Sequence, residues 1–283
     1  MTAQVFQGTF PSHDHLKLFY RFFPAPRAGQ DTFVILHGHG EHTGRYEKFA
    51  SMLENENLAI ATFDSRGHGR SEGPEVYVEH FEDYVEDVSS FVRFLEEKFH
   101  VGKILLFGHS IGGLVAIQWA LRFPKKIRAL ILSSPCLGLR MPKWLMAFNA
   151  FLNAWCPRLV YQNPVYPPHL THNPKEVEAY RNDRLVKRKM SVRLLHEMLS
   201  SIDRLEVSTA IRFSFPVTIL MADDLEKVVD PAKTKLFFQK VQAPAKEIKT
   251  FPGFYHEIFN ELGQEKAFDA LRDCIAQSRS AGP

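Results

Sequence analysis

The strongest indication of the fold of this chain is the segment Ile104-Leu-Leu-Phe-Gly108-His-Ser110-Ile-Gly112-Gly113. Four apolar residues lead into Gly-x-Ser-x-Gly, and an apolar pattern with helical spacing follows at once. This order predicts a buried strand, a sharp turn with Ser110 at its apex, and a helix. The glycines remove Cβ atoms that would collide where strand and helix cross, and the first turn of the helix offers free N–H groups to an anion. An ordinary strand-to-helix turn is the alternative, because small residues recur in many loops.

Strand-like and helix-like segments alternate along the first half of the chain. Short apolar runs are typical of strands that are buried on both faces of a parallel sheet. The predicted strands there are 16–22, 32–36, 59–63, 104–107 and 129–132, and the predicted helices are 46–55, 81–99 and 111–122. This alternation predicts an α/β fold with a mostly parallel central sheet flanked by helices.

The alternation is interrupted in the second half. Residues 144–174 include one charged residue, Arg158, and have aromatic residues at helical spacing, whereas residues 175–193 are rich in basic residues. We therefore predict a core of residues 1–137 and 212–283 with a mostly helical insertion at 138–211. Further strands are predicted at 217–221 and 247–251, and further helices at 264–278 and from Pro231, with Asp230 as N-cap.

Composition and charge exclude several classes of protein. The 283 residues are 45% hydrophobic and 24% charged, a balance typical of a globular chain with a large core. The net charge of +3 is too small to indicate nucleic-acid binding. The N-terminus does not resemble a signal peptide, no apolar run reaches the roughly 18 residues of a membrane span, and the three cysteines are widely spaced. We expect a cytoplasmic protein without a nucleic-acid partner.

A serine at such a turn becomes a nucleophile only with a base and an acid beside it. These groups collect in the loops after the strands of a parallel sheet. His256, the last histidine of the chain, follows the strand at 247–251 and is the candidate base, with capping of the next helix as the alternative role. Four carboxylates follow the strand at 217–221, and Asp230 is accounted for by its helix. Spacing alone leaves three candidate acids open: Asp223, Asp224 and Glu226.

Attack on a carbonyl also requires N–H donors for the developing oxyanion. One donor is the backbone N–H of Ile111, directly after Ser110. The other is expected from the loop at 37–42, His-Gly-His-Gly-Glu-His, where glycine lets the backbone approach a substrate. Each such donor typically contributes about 3–4 kcal/mol to stabilising the transition state.

The same loop has a second interpretation. His37, His39, Glu41 and His42 are similar to the metal-binding His-x-His-x-Asp-His pattern of binuclear zinc hydrolases. That interpretation requires further ligands on later strands, and it leaves the serine turn without a function.

Several motifs in order resemble the monoacylglycerol lipase and lysophospholipase group of the α/β-hydrolase superfamily. They are His-Gly-x-Gly-Glu-His (37–42), Asp-x-Arg-Gly-His-Gly-x-Ser (64–71), Gly-His-Ser-x-Gly (108–112), Glu226-Lys-Val-Val-Asp-Pro and Gly-Phe-Tyr-His256-Glu. The resemblance covers nearly the whole chain outside 138–211, and it implies an α/β-hydrolase fold in which that insertion is a helical lid. It also implies that Ser110 is the nucleophile, that His256 is the general base and acid, and that His39 and Ile111 supply the oxyanion N–H groups.

Two of these motifs, those around Glu226 and Asp64, differ from the others in what they imply. The family usually has Asp immediately before its Lys/Arg-hydrophobic-hydrophobic-Asp run, whereas this chain has Glu226 there, with a strand-to-acid spacing one residue longer. The extra methylene of Glu lets it reach His256 from a slightly retracted loop, so we take Glu226 as the acid and Asp224 as the second candidate. The motif at 64–71 is expected to be architectural, with Asp64 and Arg66 as a buried pair.

The sequence thus predicts a serine hydrolase that cleaves carboxylic esters through an acyl-enzyme on Ser110. The expected substrate is a monoacylglycerol or a lysophospholipid, and no metal or organic cofactor is expected. The alternatives are a thioesterase or carbon–carbon bond hydrolase on the same scaffold, and a non-catalytic, hydrolase-like binding protein. The apolar part of the insertion could line an acyl tunnel, contact a membrane surface transiently, or simply pack on the core.

Overall fold

The structure, a computed structural model, describes residues 5–25, 30–163, 165–223 and 225–280. Eight strands form a central sheet in the order β1-β2-β4-β3-β5-β6-β7-β8. The strands are β1 (Phe6–Pro11), β2 (Lys17–Phe23), β3 (Thr32–Leu36), β4 (Ala59–Phe63), β5 (Ile104–His109), β6 (Ile127–Ser133), β7 (Val217–Ala222) and β8 (Lys246–Phe251). Strand β2 is antiparallel to β1 and β4, and all other neighbouring pairs are parallel. The predicted mostly parallel sheet is therefore confirmed.

Helices cover both faces of this sheet. They are α1 (Glu47–Met52), α2 (Glu82–Phe99), α3 (Ile111–Arg122), α4 (Lys143–Trp155), α5 (Pro174–Asn182), α6 (Val192–Glu206), α7 (Pro231–Lys240) and α8 (Glu265–Ser280). One apolar cluster joins the sheet to α2, α3 and α6, and a second joins it to α1 and α8. The helix predicted at 46–55 is shorter than expected, because short 3-10 turns flank α1 on both sides. None of the described helices has the length and apolarity needed to cross a bilayer.

The predicted pair of Asp64 and Arg66 is wrong. Arg66 donates two hydrogen bonds of 2.7 Å to Asp87 on α2. Asp64 instead accepts the backbone N–H groups of Thr43 and Arg70, at 2.7 and 2.8 Å. Asp64 directly follows β4 and faces the loop before α1, whereas Arg66 lies in the next turn and faces α2, so the two side chains have different partners.

The chain between β6 and β7 contains the helices α4, α5 and α6. Helix α6 packs its apolar side into the core. Helix α4 differs, because Asn149 is its one buried residue, while four aromatic side chains are between 50% and 76% exposed: Trp144, Phe148, Phe151 and Trp155. The helical content expected of 138–211 is present, and its action as a lid stays a prediction.

Candidate active site

Ser110 lies at the turn between β5 and α3, with backbone angles φ 52° and ψ −119°. A positive φ is costly for a residue with a Cβ, and such strained residues cluster at active sites. The turn is also very tight. A Cβ added to Gly108 would lie 2.4 Å from the carbonyl oxygen of Gly112, and one added to Gly112 would lie 2.3 Å from that of Leu36. Only glycine fits at these two positions, as the sequence motif predicts.

His256 and Glu226 lie on the loops after β8 and β7 and are hydrogen bonded to each other. Nδ1 of His256 is 3.0 Å from one carboxylate oxygen of Glu226, and the two residues are only 2% and 1% exposed. The other carboxylate oxygen accepts the backbone N–H groups of Val228 and Val229, at 2.8 and 3.3 Å. The carboxylate is therefore held on both sides, and it fixes the orientation of the imidazole.

The other candidate acids have different surroundings. Asp223 pairs with Lys235 at 3.2 Å. Asp230 accepts the N–H of Ala232 at 2.9 Å and caps α7, as predicted. Asp224 lies outside the described residues. Among the described carboxylates of this loop, Glu226 is the one that contacts the histidine.

The charges around His256 favour its protonated form. Burial by itself lowers the pKa of His256, but the carboxylates of Glu226, Glu257 and Glu41 together raise the pKa above its usual value. Burial alone would raise the pKa of Glu226, yet His256 and two backbone N–H groups bring this pKa below its usual value. The neighbouring imidazole of His109, with its ring centroid 4.9 Å from that of His256, behaves differently. Burial lowers the pKa of His109 to about 4, so His109 is neutral at pH 7.

The backbone N–H groups of His39 and Ile111 are available to a ligand. Within the described part of the chain neither of them donates a hydrogen bond, and both residues line the same cavity as Ser110. The peptide between Gly38 and His39 is oriented by His37, whose Nδ1 donates to the carbonyl oxygen of Gly38 at 2.7 Å. Because C=O and N–H of a trans peptide point in opposite directions, the N–H of His39 points away from His37.

The zinc interpretation of this loop is not supported by the geometry. Nε2 of His42 is bonded to Asp183 at 2.8 Å, and Nε2 of His39 to the carbonyl oxygen of Lys189 at 2.8 Å. In the described ranges, three or more potential ligand atoms come together only at His13, Asp14 and Asp87. The imidazoles of the 37–42 loop thus have separate partners and do not converge on one point.

Ser110 and His256 line one cavity with a volume of about 170 Å³. The part of its wall that comes from the chain between β6 and β7 is largely apolar. It includes Leu139, Met141, Met190, Leu195 and Met198. Such a wall suits a hydrocarbon chain next to Ser110.

Sequence reasoning missed a buried ion network behind the site. Arg45 binds Glu41 at 2.8 Å and Glu257 at 2.6 Å, and the three side chains are between 5% and 9% exposed. Glu41 also accepts the N–H of Gly38, while Glu257 directly follows His256. Arg45 therefore connects the loop at 37–42 to the loop that carries His256. The i,i+4 spacing of Glu41 and Arg45 is visible in the sequence, but Glu257 is 212 residues from Arg45.

Comparison with known proteins identifies the family of this chain. The family described as serine aminopeptidase, S33, matches residues 28–263. Phospholipase YtpA of Bacillus subtilis is 34% identical over 243 residues, which cover 84% of this chain and 92% of that protein. The uncharacterized protein YnbC of Escherichia coli is 29% identical over 274 residues, which are 95% of this chain but only 46% of YnbC.

A solved structure of a similar protein has the same fold. The crystal structure of Paleococcus ferrophilus monoacylglycerol lipase is 29% identical, has a TM-score of 0.82, and covers 92% of this chain and 99% of that one. The predicted fold and the predicted class of enzyme, a hydrolase of the lipase, phospholipase and esterase type, are confirmed. The chain therefore belongs to the serine aminopeptidase S33 family of α/β hydrolases, in the group of monoacylglycerol lipases and lysophospholipases.

Proposed function

We propose that Ser110, His256 and Glu226 form a catalytic triad that hydrolyses a carboxylic ester with a single acyl chain, a monoacylglycerol or a lysophospholipid. One observation carries this proposal. The 3.0 Å hydrogen bond between Nδ1 of His256 and Glu226 belongs to a histidine that lines the same cavity as a serine held at φ 52°.

The reaction follows from the tautomer that Glu226 selects. With the imidazole proton on Nδ1, Nε2 of His256 accepts the proton of Ser110 as Oγ attacks the ester carbonyl. The N–H groups of His39 and Ile111 stabilise the resulting oxyanion. Collapse of the tetrahedral intermediate breaks the bond to the alcohol, which takes the proton from His256. Water then repeats these steps on the acyl-enzyme, releases the fatty acid and restores Ser110.

The substrate class is supported by the cavity wall and by two relatives. Apolar residues surround the position that an acyl chain would occupy next to Ser110. One relative is named a phospholipase and another a monoacylglycerol lipase.

The two buried cysteines and one exposed cysteine are free thiols, in keeping with the expected cytoplasmic location.

We also propose that residues 138–211 act as a lid whose helix α4 contacts a lipid surface transiently. Four exposed aromatic side chains on one short helix form an unusually apolar surface. Amphipathic helices with Trp and Phe on one face insert into the interface of a bilayer. Because the same segment lines the cavity, contact with lipid would place the cavity next to its substrate.

The proposal is tested with a panel of monoacylglycerols, lysophospholipids and acyl thioesters of several chain lengths, with Ser110→Ala as the control. We expect ester hydrolysis with a preference for long acyl chains and none by the variant. Stoichiometric labelling of Ser110 by a fluorophosphonate probe would separate an enzyme from a binding protein. Faster turnover of thioesters than of oxygen esters, or a strict preference for the shortest acyl groups, would contradict the proposal.

A further inference from the structure

The charged side chains that line the cavity differ in whether they form ion pairs. The carboxylates of Glu41 and Glu257 line it, and both are paired with Arg45. Arg140 and Lys227 also line the cavity and are exposed. Neither forms an ion pair with a carboxylate in the described ranges of the chain. Two carboxylates thus share the one guanidinium group of Arg45, whereas the two exposed cations have no carboxylate partner in these ranges.

The fold brings the two segments that carry these cations together at the cavity. Leu139 and Val229 form an isolated antiparallel bridge, and the N–H of Asp230 donates to the carbonyl oxygen of Gly138 at 3.0 Å. Arg140 follows this bridge by one residue on its segment, and Lys227 precedes it by two on the other. The segments after β6 and β7 thus present one cation each next to the loop of Glu226.

The ammonium group of Lys227 is anchored without being neutralised. It donates a hydrogen bond of 3.1 Å to the hydroxyl group of Tyr255 and lies 4.6 Å from the centroid of that ring. An ammonium group has three N–H donors, so two remain for a ligand. Since Tyr255 directly precedes His256, this cation is tied to the loop that carries the base.

We propose that Arg140 and Lys227 bind the phosphate of a lysophospholipid head group and make anionic lysophospholipids better substrates than monoacylglycerols. This inference rests on the proposed ester hydrolysis at Ser110. A guanidinium group matches two phosphate oxygens at once, and an ammonium group adds a compact charge. With the acyl chain along the apolar wall, the head group lies toward the exposed cations. A monoacylglycerol offers neither cation an anionic partner.

The test compares two lipids that share one acyl chain, palmitoyl lysophosphatidylglycerol and monopalmitoylglycerol, in micelles of the same neutral detergent. The quantity measured is the ratio of kcat/KM for the two lipids. We expect the wild-type ratio to exceed one and each of Arg140→Gln and Lys227→Gln to lower it about tenfold, through KM for the phospholipid, since a charge-assisted hydrogen bond is of this strength. Added salt should lower the wild-type ratio as well.

A matched control is available in Arg93→Gln. Arg93 is an exposed arginine on α2 that does not line the cavity and has no carboxylate partner in the part of the chain that the structure describes. We expect it to keep the wild-type ratio. A misfolded variant would lose activity on both lipids, so the ratio separates recognition from folding.

The outcomes distinguish this inference from the function on which it rests. A double variant, Arg140→Gln with Lys227→Gln, that keeps the wild-type ratio would overturn the phosphate site, and so would a wild-type preference for monopalmitoylglycerol. In both cases ester hydrolysis at Ser110 would stand. If the wild type hydrolyses neither lipid, the proposed function itself fails.

Discussion

Replacing Glu226 by Gln tests the proposed acid at almost constant side-chain volume. In the structure one carboxylate oxygen faces Nδ1 of His256 at 3.0 Å, and the other accepts the N–H groups of Val228 and Val229. These two backbone groups can only donate, so they hold the oxygen of the new amide and turn its NH₂ group toward His256. The amide then donates to Nδ1 and forces the imidazole proton onto Nε2. That nitrogen can no longer accept the proton of Ser110.

The size of the expected loss in kcat follows from the distance between the two charges and from the same change in serine proteases. Two unit charges 3.0 Å apart interact by about 5.5 kcal/mol at an effective dielectric constant of about 20. The same acid-to-amide change in the triad of serine proteases lowers kcat about 10⁴-fold, which also corresponds to about 5.5 kcal/mol. We therefore expect Glu226→Gln to lower kcat by roughly 10³–10⁴-fold with little effect on KM.

The assay is steady-state hydrolysis of a monoacylglycerol, with the active sites counted by a fluorophosphonate probe. Two variants serve as controls. Glu226→Asp keeps the charge but is one methylene shorter, so its loss should be smaller, and Asp224→Asn should have a mild effect. If Glu226→Gln keeps more than about a tenth of kcat, or if Asp224→Asn is the more damaging change, the assignment of the acid is refuted.

Three further predictions concern pH and stability. The kcat/KM of the wild type should fall in acid with an apparent pKa above the usual histidine value of about 6.5. The reason is that carboxylates raise the pKa of His256 and that only its neutral form accepts a proton. An apparent pKa below about 6.5 would contradict this prediction. Ser110→Gly should abolish activity yet raise the free energy of unfolding in urea by about 1 kcal/mol, because glycine adopts the positive φ of this position without strain. A variant that is less stable than the wild type would count against this strain. Arg45→Gln leaves two buried carboxylates without their cation and should lower the free energy of unfolding by about 3–5 kcal/mol; a loss below about 1 kcal/mol would show that the network is dispensable.

The features that could be predicted from the sequence are those fixed by local backbone geometry. The turn at Ser110 requires glycine at two positions, since any Cβ there meets a carbonyl oxygen closer than 3 Å, and the sequence therefore shows the motif. The cap of α7 by Asp230 is local in the same way.

Features that depend on distant partners could not be predicted in this way. Arg66 binds Asp87 and not the nearby Asp64, because a turn of the chain directs its side chain toward α2. The apolar spacing of α4 is the same pattern that a core helix has, and only the neighbours in space show that Trp144 and Trp155 are 69% and 76% exposed. Periodicity therefore identifies an apolar face without telling what covers it.

The loop of Glu226 depends both on local backbone geometry and on a distant partner, His256. After β7 ends at Ala222, the N–H of Glu226 donates to the carbonyl oxygen of Asp223 at 3.0 Å, so the chain turns just before Glu226. The side chain of Glu is longer than that of Asp by one carbon–carbon bond, about 1.5 Å, and its carboxylate lies 3.0 Å from Nδ1 of His256. If Glu226 is the acid of the proposed triad, the position of the carboxylate must be kept rather than the residue type that supplies it. A change from Asp to Glu that would look like a lost catalytic residue in isolation is thus consistent with an intact triad, provided that the loop before it lengthens as well.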